Sequence, residues 1–229
     1  MIIIEDKDLE DAVLAGDSCI AVPFEIWTPE QGESQITVYS YFENIAGMYE
    51  TFFKDALFEA DALKWLDDRL YATVKSLGYT HAFEDVHFLE EYVINELSQL
   101  HKQSTFADVK IIESESELDC ADISLVSDIF IGGKTAIITD GDKLVSVACL
   151  NDVSFEDESV EIYVETDPLY RGRGYGTAAV EALTRALLEE GNIVRYKCSV
   201  NNHTSKQVAE KCGFKKTGRR YSYVCYSID

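Results

Sequence analysis

The chain has 229 residues, 46% of them hydrophobic, and a formal net charge of −22. That is enough for one large domain or two small ones with a real core. So acidic a surface repels phosphate backbones and anionic headgroups, which argues against nucleic-acid and membrane partners and leaves room for a cationic substrate or for simple solubility. No stretch approaches the ~20 uninterrupted apolar residues of a membrane helix. The start, Met1-Ile-Ile-Ile-Glu-Asp-Lys-Asp8, is not that of a secretory signal, so the expected location is the cytoplasm.

Six cysteines, Cys19, Cys120, Cys149, Cys198, Cys212 and Cys225, are scattered without a Cys-x-x-Cys pair. They fit free thiols better than a disulfide framework or a zinc site. His81, His87 and His101 have no ligand spacing with a cysteine and read as surface or packing histidines, so no metal is expected.

In chain order, Cys19–Trp27 and Gln35–Phe42 are rich in β-branched and aromatic residues on either side of a turn-like Thr-Pro-Glu-Gln-Gly-Glu, which predicts a strand hairpin. From Gly47 to Leu77 apolar residues recur at threes and fours, which predicts helix. Phe88–Leu100 repeats that spacing with Tyr92, Val93, Leu97 and Leu100 and is also read as helix. His101–Phe106, short and polar, is the candidate linker. It separates an α/β unit of unknown role over 1–105 from a second domain over 106–229.

After the linker, Val109–Ile112 reads as a strand and Ser114–Val126 as acidic with weak helical spacing. Asp140-Gly-Asp-Lys143 sits between the apolar runs Thr135–Thr139 and Leu144–Leu150, a strong hairpin signal. Val160–Thr166 reads as a strand and Tyr175–Glu190 as a helix stopped by Gly191. Ile193–Val200 is a strand, Thr204–Cys212 a short helix ending at Gly213, and Tyr221–Ile228 a closing strand. The order predicts mixed α/β architecture.

The stretch that carries chemistry is Glu165-Thr-Asp-Pro-Leu-Tyr-Arg-Gly-Arg-Gly-Tyr-Gly-Thr-Ala178, which joins a strand to a helix. Gly172, Gly174 and Gly176 alternate just ahead of the helix, so amide N–H groups can line one concavity that side chains do not block. The helix adds its N-terminal N–H groups and dipole, and Arg171 and Arg173 add charge; together these suit a phosphate or pyrophosphate. A plain strand-to-helix turn is the competing reading. The Walker pattern lacks its Gly-Lys-Ser/Thr here, and Gly174-Tyr-Gly-Thr-Ala-Ala179 lacks the last glycine of the dinucleotide fingerprint.

Arg171-Gly-Arg-Gly-Tyr-Gly176 resembles the acyl-CoA pyrophosphate loop of the GNAT superfamily of N-acetyltransferases, and Thr166-Asp-Pro-Leu-Tyr170 resembles the strand exit before it. Asn202-His-Thr-Ser205 followed by Ala209-Glu-Lys-Cys-Gly-Phe214 resembles the second motif of that family. The resemblance covers about Phe106 to Ile228. Within the superfamily the wording is similar to a group of bacterial antibiotic self-resistance acetyltransferases.

The resemblance implies a mixed, mostly antiparallel sheet flanked by helices, with acetyl-CoA as co-substrate. Backbone amides of Gly172, Arg173, Gly174, Tyr175, Gly176 and Thr177 would cradle the pyrophosphate. The strand from Val164 to Thr166 would pair with the pantetheine arm and stabilise the oxyanion. It and Ile193–Val200 would splay apart to admit the thioester, with Asn202 and Ser205 beside the arm. An amine would attack the thioester directly in a ternary complex. Glu161 and Glu165 are the candidate bases, against the alternative that Glu161, Tyr163 and Glu165 form a solvated strand face. Many relatives carry a general-acid Tyr seven residues after the motif Asn. Here that position is Ala209, which leaves Tyr163, Tyr221, Tyr223 or water as the proton source. The first unit's exposed strands and the last strand are candidates for pairing across a homodimer.

Overall fold

In a computed structural model the described residues are 1–7, 20–82, 88–102, 109–118, 120, 125, 133–153 and 159–227. Cys19, His87, residues 103–106 of the expected linker, most of 119–126, and Ile228 lie outside them. The chain forms two compact units. One holds Met1–Glu90, Ser199–Asn201 and the residues from Gly218 on; the other holds Glu91–Cys198 and Asn202–Thr217.

In the first unit, β2 (Ile20–Pro29) and β3 (Gln35–Tyr39) form the expected antiparallel hairpin, with Phe24 opposite Val38 and Ile26 opposite Ile36. These four alternate inward and are at most 1% exposed. β1 (Ile2–Glu5) adds to β3 in parallel, and β11 (Lys215–Ser227) pairs with β2 from Gly218 on and with β4 (Tyr79–Ala82), both antiparallel. Helices α1 (Glu43–Phe53) and α2 (Ala60–Ser76) complete the unit. The single run expected over Gly47–Leu77 is thus two helices. Leu57 keeps the apolar period and is buried, but it lies in the turn between them. There its carbonyl takes the Tyr49 hydroxyl as partner in place of a helical N–H.

The second unit orders its strands β5-β10-β9-β8-β7-β6: β5 (Phe88–Ile94, from Glu91), β6 (Lys110–Ile112), β7 (Thr135–Asp140), β8 (Lys143–Val153), β9 (Val160–Thr166) and β10 (Val194–Ser199). β6 to β9 pair antiparallel in sequence, and β10 joins β9 in parallel. A mixed, mostly antiparallel sheet flanked by helices is the result. The β7–β8 turn is the two-residue Gly141-Asp142, closed by Asp140 opposite Lys143. Helix α3 (Tyr175–Glu189) lays Ala179, Val180, Leu183 and Leu187 against Ile138, Val145, Ile162 and Val194. Helix α4 (His203–Cys212) buries Ala209 and Cys212 in the same core.

Phe88–Leu100 is not helical. It is strand to Ile94, with a 3-10 turn at Leu97–Gln99. The reason is burial on both faces. Tyr92 and Ile94 are 2% and 1% exposed, and Glu91 is 5% exposed, so carboxylates that look like a solvated helix face are inside. Glu91 lies 3.7 Å from Arg195, and its carbonyl accepts the Thr217 hydroxyl at 3.2 Å. Cys120, Cys149, Cys198, Cys212 and Cys225 are free thiols, and burial pushes that of Cys149 up to about 11. No helix among the described residues is long and apolar enough to cross a membrane.

Candidate active site

The site begins where β9 stops. Asp167 turns the chain: its carboxylate accepts the Leu169 N–H at 2.8 Å and pairs with Lys143 at 2.6 Å. The Lys143 hydrogen bond, then that from Leu169, holds the carboxyl below its ordinary value. A 3-10 turn over Pro168–Tyr170 follows, and then the glycine loop. Gly172 and Gly174 take φ of +76° and +92°, the left-handed region that a side chain strains. Gly174 is the N-cap of α3, whose first backbone bond runs from Ala178 N–H to Gly174 C=O at 3.0 Å. No side chain caps this helix and no acidic residue sits in its first turn. Its N–H groups and positive dipole end therefore face the groove ahead of it.

Gly176 has a different duty. A Cβ there would lie 3.0 Å from Thr166 Oγ1 and 3.7 Å from Val164 Cγ2, so the missing side chain lets α3 sit down on β9. A Cβ on Gly172 would meet nothing within 4 Å, so that loop backbone is open to approach.

β9 and β10 are in register at Val160–Val194, Glu161–Arg195 and Tyr196–Ile162, and the register ends there. β9 continues to Thr166, still paired with β8 on its other edge. The strands thus part, and a groove of about 460 Å³ opens between them. One wall is Val164, Glu165, Thr166, Tyr170, Arg171, Gly172 and Gly174–Thr177; the other is Tyr196 with Asn202, Thr204, Ser205, Gln207, Val208 and Lys211. Backbone polar groups of the parted strands suit an extended, amide-bearing ligand. The uncapped helix end suits its anionic group. The residues present therefore fit an acyl-CoA.

The groove brings together Val164, Thr166, Arg171, Gly172, Gly174, Tyr175, Gly176, Thr177, Asn202 and Ser205, along with Glu165. Arg173 and Glu161 do not line it. Arg173 lies over the Tyr170 ring, 5.3 Å from its centroid. Several groove residues also hold the wall. Asn202 Oδ1 caps α4 by accepting Ser205 N–H at 3.0 Å, and Ser205 Oγ meets the Tyr196 hydroxyl at 2.6 Å. Arg171 donates to the Thr166 carbonyl at 2.9 Å and to Glu165 Oε1 at 2.8 Å.

The candidate bases are engaged. Glu161 accepts from Asn151 at 2.8 Å and pairs with Lys197 at 2.5 Å. Glu165 takes Arg171 on one oxygen and the Tyr163 hydroxyl on the other, at 2.8 Å. Partial burial and that bond push Tyr163 up to about 12. Ala209 is fully buried. Tyr221 and Tyr223 belong to the first unit's core, where burial raises both phenols.

Sequence reasoning did not single out Tyr196, Thr204, Gln207, Val208 or Lys211 for the groove. Thr204, Val208 and Lys211 follow a helical i, i+4, i+7 spacing, a signal that was there to find. Tyr196 alternates inward with Val194 and Cys198, which reads as ordinary core. Among the described residues no group of three or more His, Cys, Asp or Glu is placed to hold a metal ion.

Comparison with known proteins agrees with this geometry. A solved GNAT-family protein from Novosphingobium aromaticivorans is similar at 14% identity, over 66% of this chain and 69% of that one, with a TM-score of 0.50. A Drosophila protein is similar at 13% identity, over 87% and 73%, with a TM-score of 0.52. At such identities the likeness is one of fold. No curated protein matches. The model of the acetyltransferase (GNAT) family matches residues 94–214, more than half of the chain, and the chain belongs to that family.

Proposed function

We propose that the chain moves an acetyl group from acetyl-CoA to a primary amine by direct attack in a ternary complex, within the second unit, with the first as an accessory unit. One observation carries the reading: the uncapped N-terminus of α3, behind Gly172 and Gly174, opens into the same groove as the gap between β9 and β10. Amides of Gly172–Thr177 hold the pyrophosphate, with Arg173 nearby. Val164 and Thr166 offer backbone to the pantetheine arm, and Asn202 and Ser205 flank it. Glu165 lines the groove and is the better placed of the two candidate bases, taking a proton from the amine once Tyr163 or Arg171 yields an oxygen. The acidic composition favours a cationic amine and disfavours nucleic acid or membrane as partner. The buried free thiols suit a reducing compartment, the cytoplasm.

A second reading has its own observation. Ala209 fills the position where many relatives carry a tyrosine, and both carboxylates are tied up, which favours a module that binds acyl-CoA and turns it over weakly. Thermal unfolding with rising acetyl-CoA tests the site common to both, because binding to the native state raises the midpoint as RT ln(1 + [L]/Kd). Thiol release with a panel of amines then separates them. A midpoint unmoved at millimolar acetyl-CoA would sink both readings.

A further inference from the structure

One ring lines the groove at the point where β9 and β10 part. Tyr196 is the last residue of β10 in register with β9, opposite Ile162. Its ring is 2% exposed and tilted against Phe214, with centroids 5.9 Å apart. Its hydroxyl is held by Ser205 Oγ at 2.6 Å. The ring is thus fixed at both ends, at the vertex where the two strands part.

The direction of the groove gives this position a meaning. Its anion-suited end is the N-terminus of α3, beside Thr166 at the end of β9. A ligand anchored there and laid back along β9 passes Thr166 and then Val164 and runs towards Tyr196, which lines the groove where the β9–β10 register ends. We propose that Tyr196 is the stop that sets the length of the acyl group, admitting acetyl and excluding longer chains. This rests on the acyl-CoA reading above. The core around the ring is close-packed, so each added methylene must displace a side chain pinned by a hydrogen bond and an aromatic contact. Overpacking of that kind weakens binding by about tenfold or more. Removing the ring leaves an apolar space that a longer chain would fill.

The test is binding by the full chain, from thermal unfolding and from calorimetric titration, with CoA, acetyl-CoA, butyryl-CoA and hexanoyl-CoA. The wild type should bind acetyl-CoA at least about tenfold more tightly than hexanoyl-CoA. Tyr196→Ala should bind hexanoyl-CoA at least as tightly as acetyl-CoA. Tyr196→Phe, which keeps the ring and loses the bond to Ser205, should keep the wild-type order. If the alanine variant does not fold, Tyr196→Leu replaces it and should shift the preference towards butyryl-CoA. Wild-type protein that binds hexanoyl-CoA as well as acetyl-CoA, or folded truncation variants with the wild-type order, would overturn the proposal. Failure of CoA and of every thioester to bind wild-type protein would instead remove the acyl-CoA reading, and this one with it.

Discussion

Two glycines end the two helices of the groove in the same conformation, and they should respond differently to alanine. Gly191 follows α3 with φ +86°, and Gly213 follows α4 with φ +96°. A Cβ on Gly191 would meet nothing within 4 Å. Gly191→Ala therefore carries only the left-handed strain, about 1–2 kcal/mol. A Cβ on Gly213 would lie 2.1 Å from the Gln99 carbonyl oxygen and 3.1 Å from its carbon. Backbone must move by about an ångström to reach ordinary contact, and it is tied: His101 N–H donates to the Cys212 carbonyl at 3.1 Å. Overpacking adds about 1–3 kcal/mol to the same strain. At about 2–4 °C per kcal/mol for a chain of this size, Gly213→Ala should melt roughly 2–12 °C below Gly191→Ala. Thermal unfolding followed by circular dichroism on both variants, in one buffer, gives the comparison. Equal midpoints, or a lower one for Gly191→Ala, would refute the assignment of the α4 end as a close backbone contact. The effect should also reach the groove, because α4 carries Ser205 and is capped by Asn202, and acetyl-CoA should then stabilise Gly213→Ala less than it does the wild type.

Other substitutions test other parts. Gly174→Ala should cost about 1–2 kcal/mol from its left-handed φ, leave the fold intact and abolish the midpoint rise with acetyl-CoA; a full rise in the folded variant would remove the anion site from the α3 terminus. The carboxyl of Asp167 is held below its ordinary 3.8 by Lys143 and Leu169, so its contribution is present above that pH and fades as pH falls through the lowered value. Asp167→Asn should melt below wild type at pH 7, with the gap closing below about pH 3.8; a gap that persists at low pH would mean the carboxylate charge is not its source. Glu165→Gln should lower thiol release by about 10²–10⁴ in an assay with a competent amine. Glu161→Gln should spare that rate and instead cost about 1–3 kcal/mol by stripping Lys197 of its carboxylate; the reverse pattern would exchange their roles.

Much of the second unit was legible because its signals are local. Gly141-Asp142 between alternating runs fixes the β7–β8 hairpin, and β9 begins and ends at the residues that periodicity indicates. The glycine loop, too, declares a left-handed approach to a helix end. What sequence did not disclose depends on partners far away in the chain. β5 reads as helix because Tyr92, Val93, Leu97 and Leu100 recur at helical spacing, whereas in the strand Glu91 is also buried, against Arg195 and Thr217. β1 is recognisable only by its parallel register with β3, from Ile2–Ile36 to Glu5–Tyr39. Tyr196 reads as core until Ser205 is seen on its hydroxyl.

The motif residues also divide their work in a way that spacing does not reveal. Asn202 looks like a ligand contact, yet its side-chain oxygen is spent on capping α4, and Ser205 is spent on Tyr196. Gly176 looks like part of a phosphate cradle, yet its missing Cβ lets α3 rest on Thr166, whose hydroxyl meets Ser146 Oγ at 2.8 Å. Arg171 looks like a free positive charge, yet it clips the end of β9 to the loop through the Thr166 carbonyl. A groove between parted strands lacks the ladder bonds that would otherwise join its two walls, so side chains help to hold them. The motif is then as much the frame of an open cleft as a list of its contacts, and a frame set before binding spares the ligand the cost of ordering it.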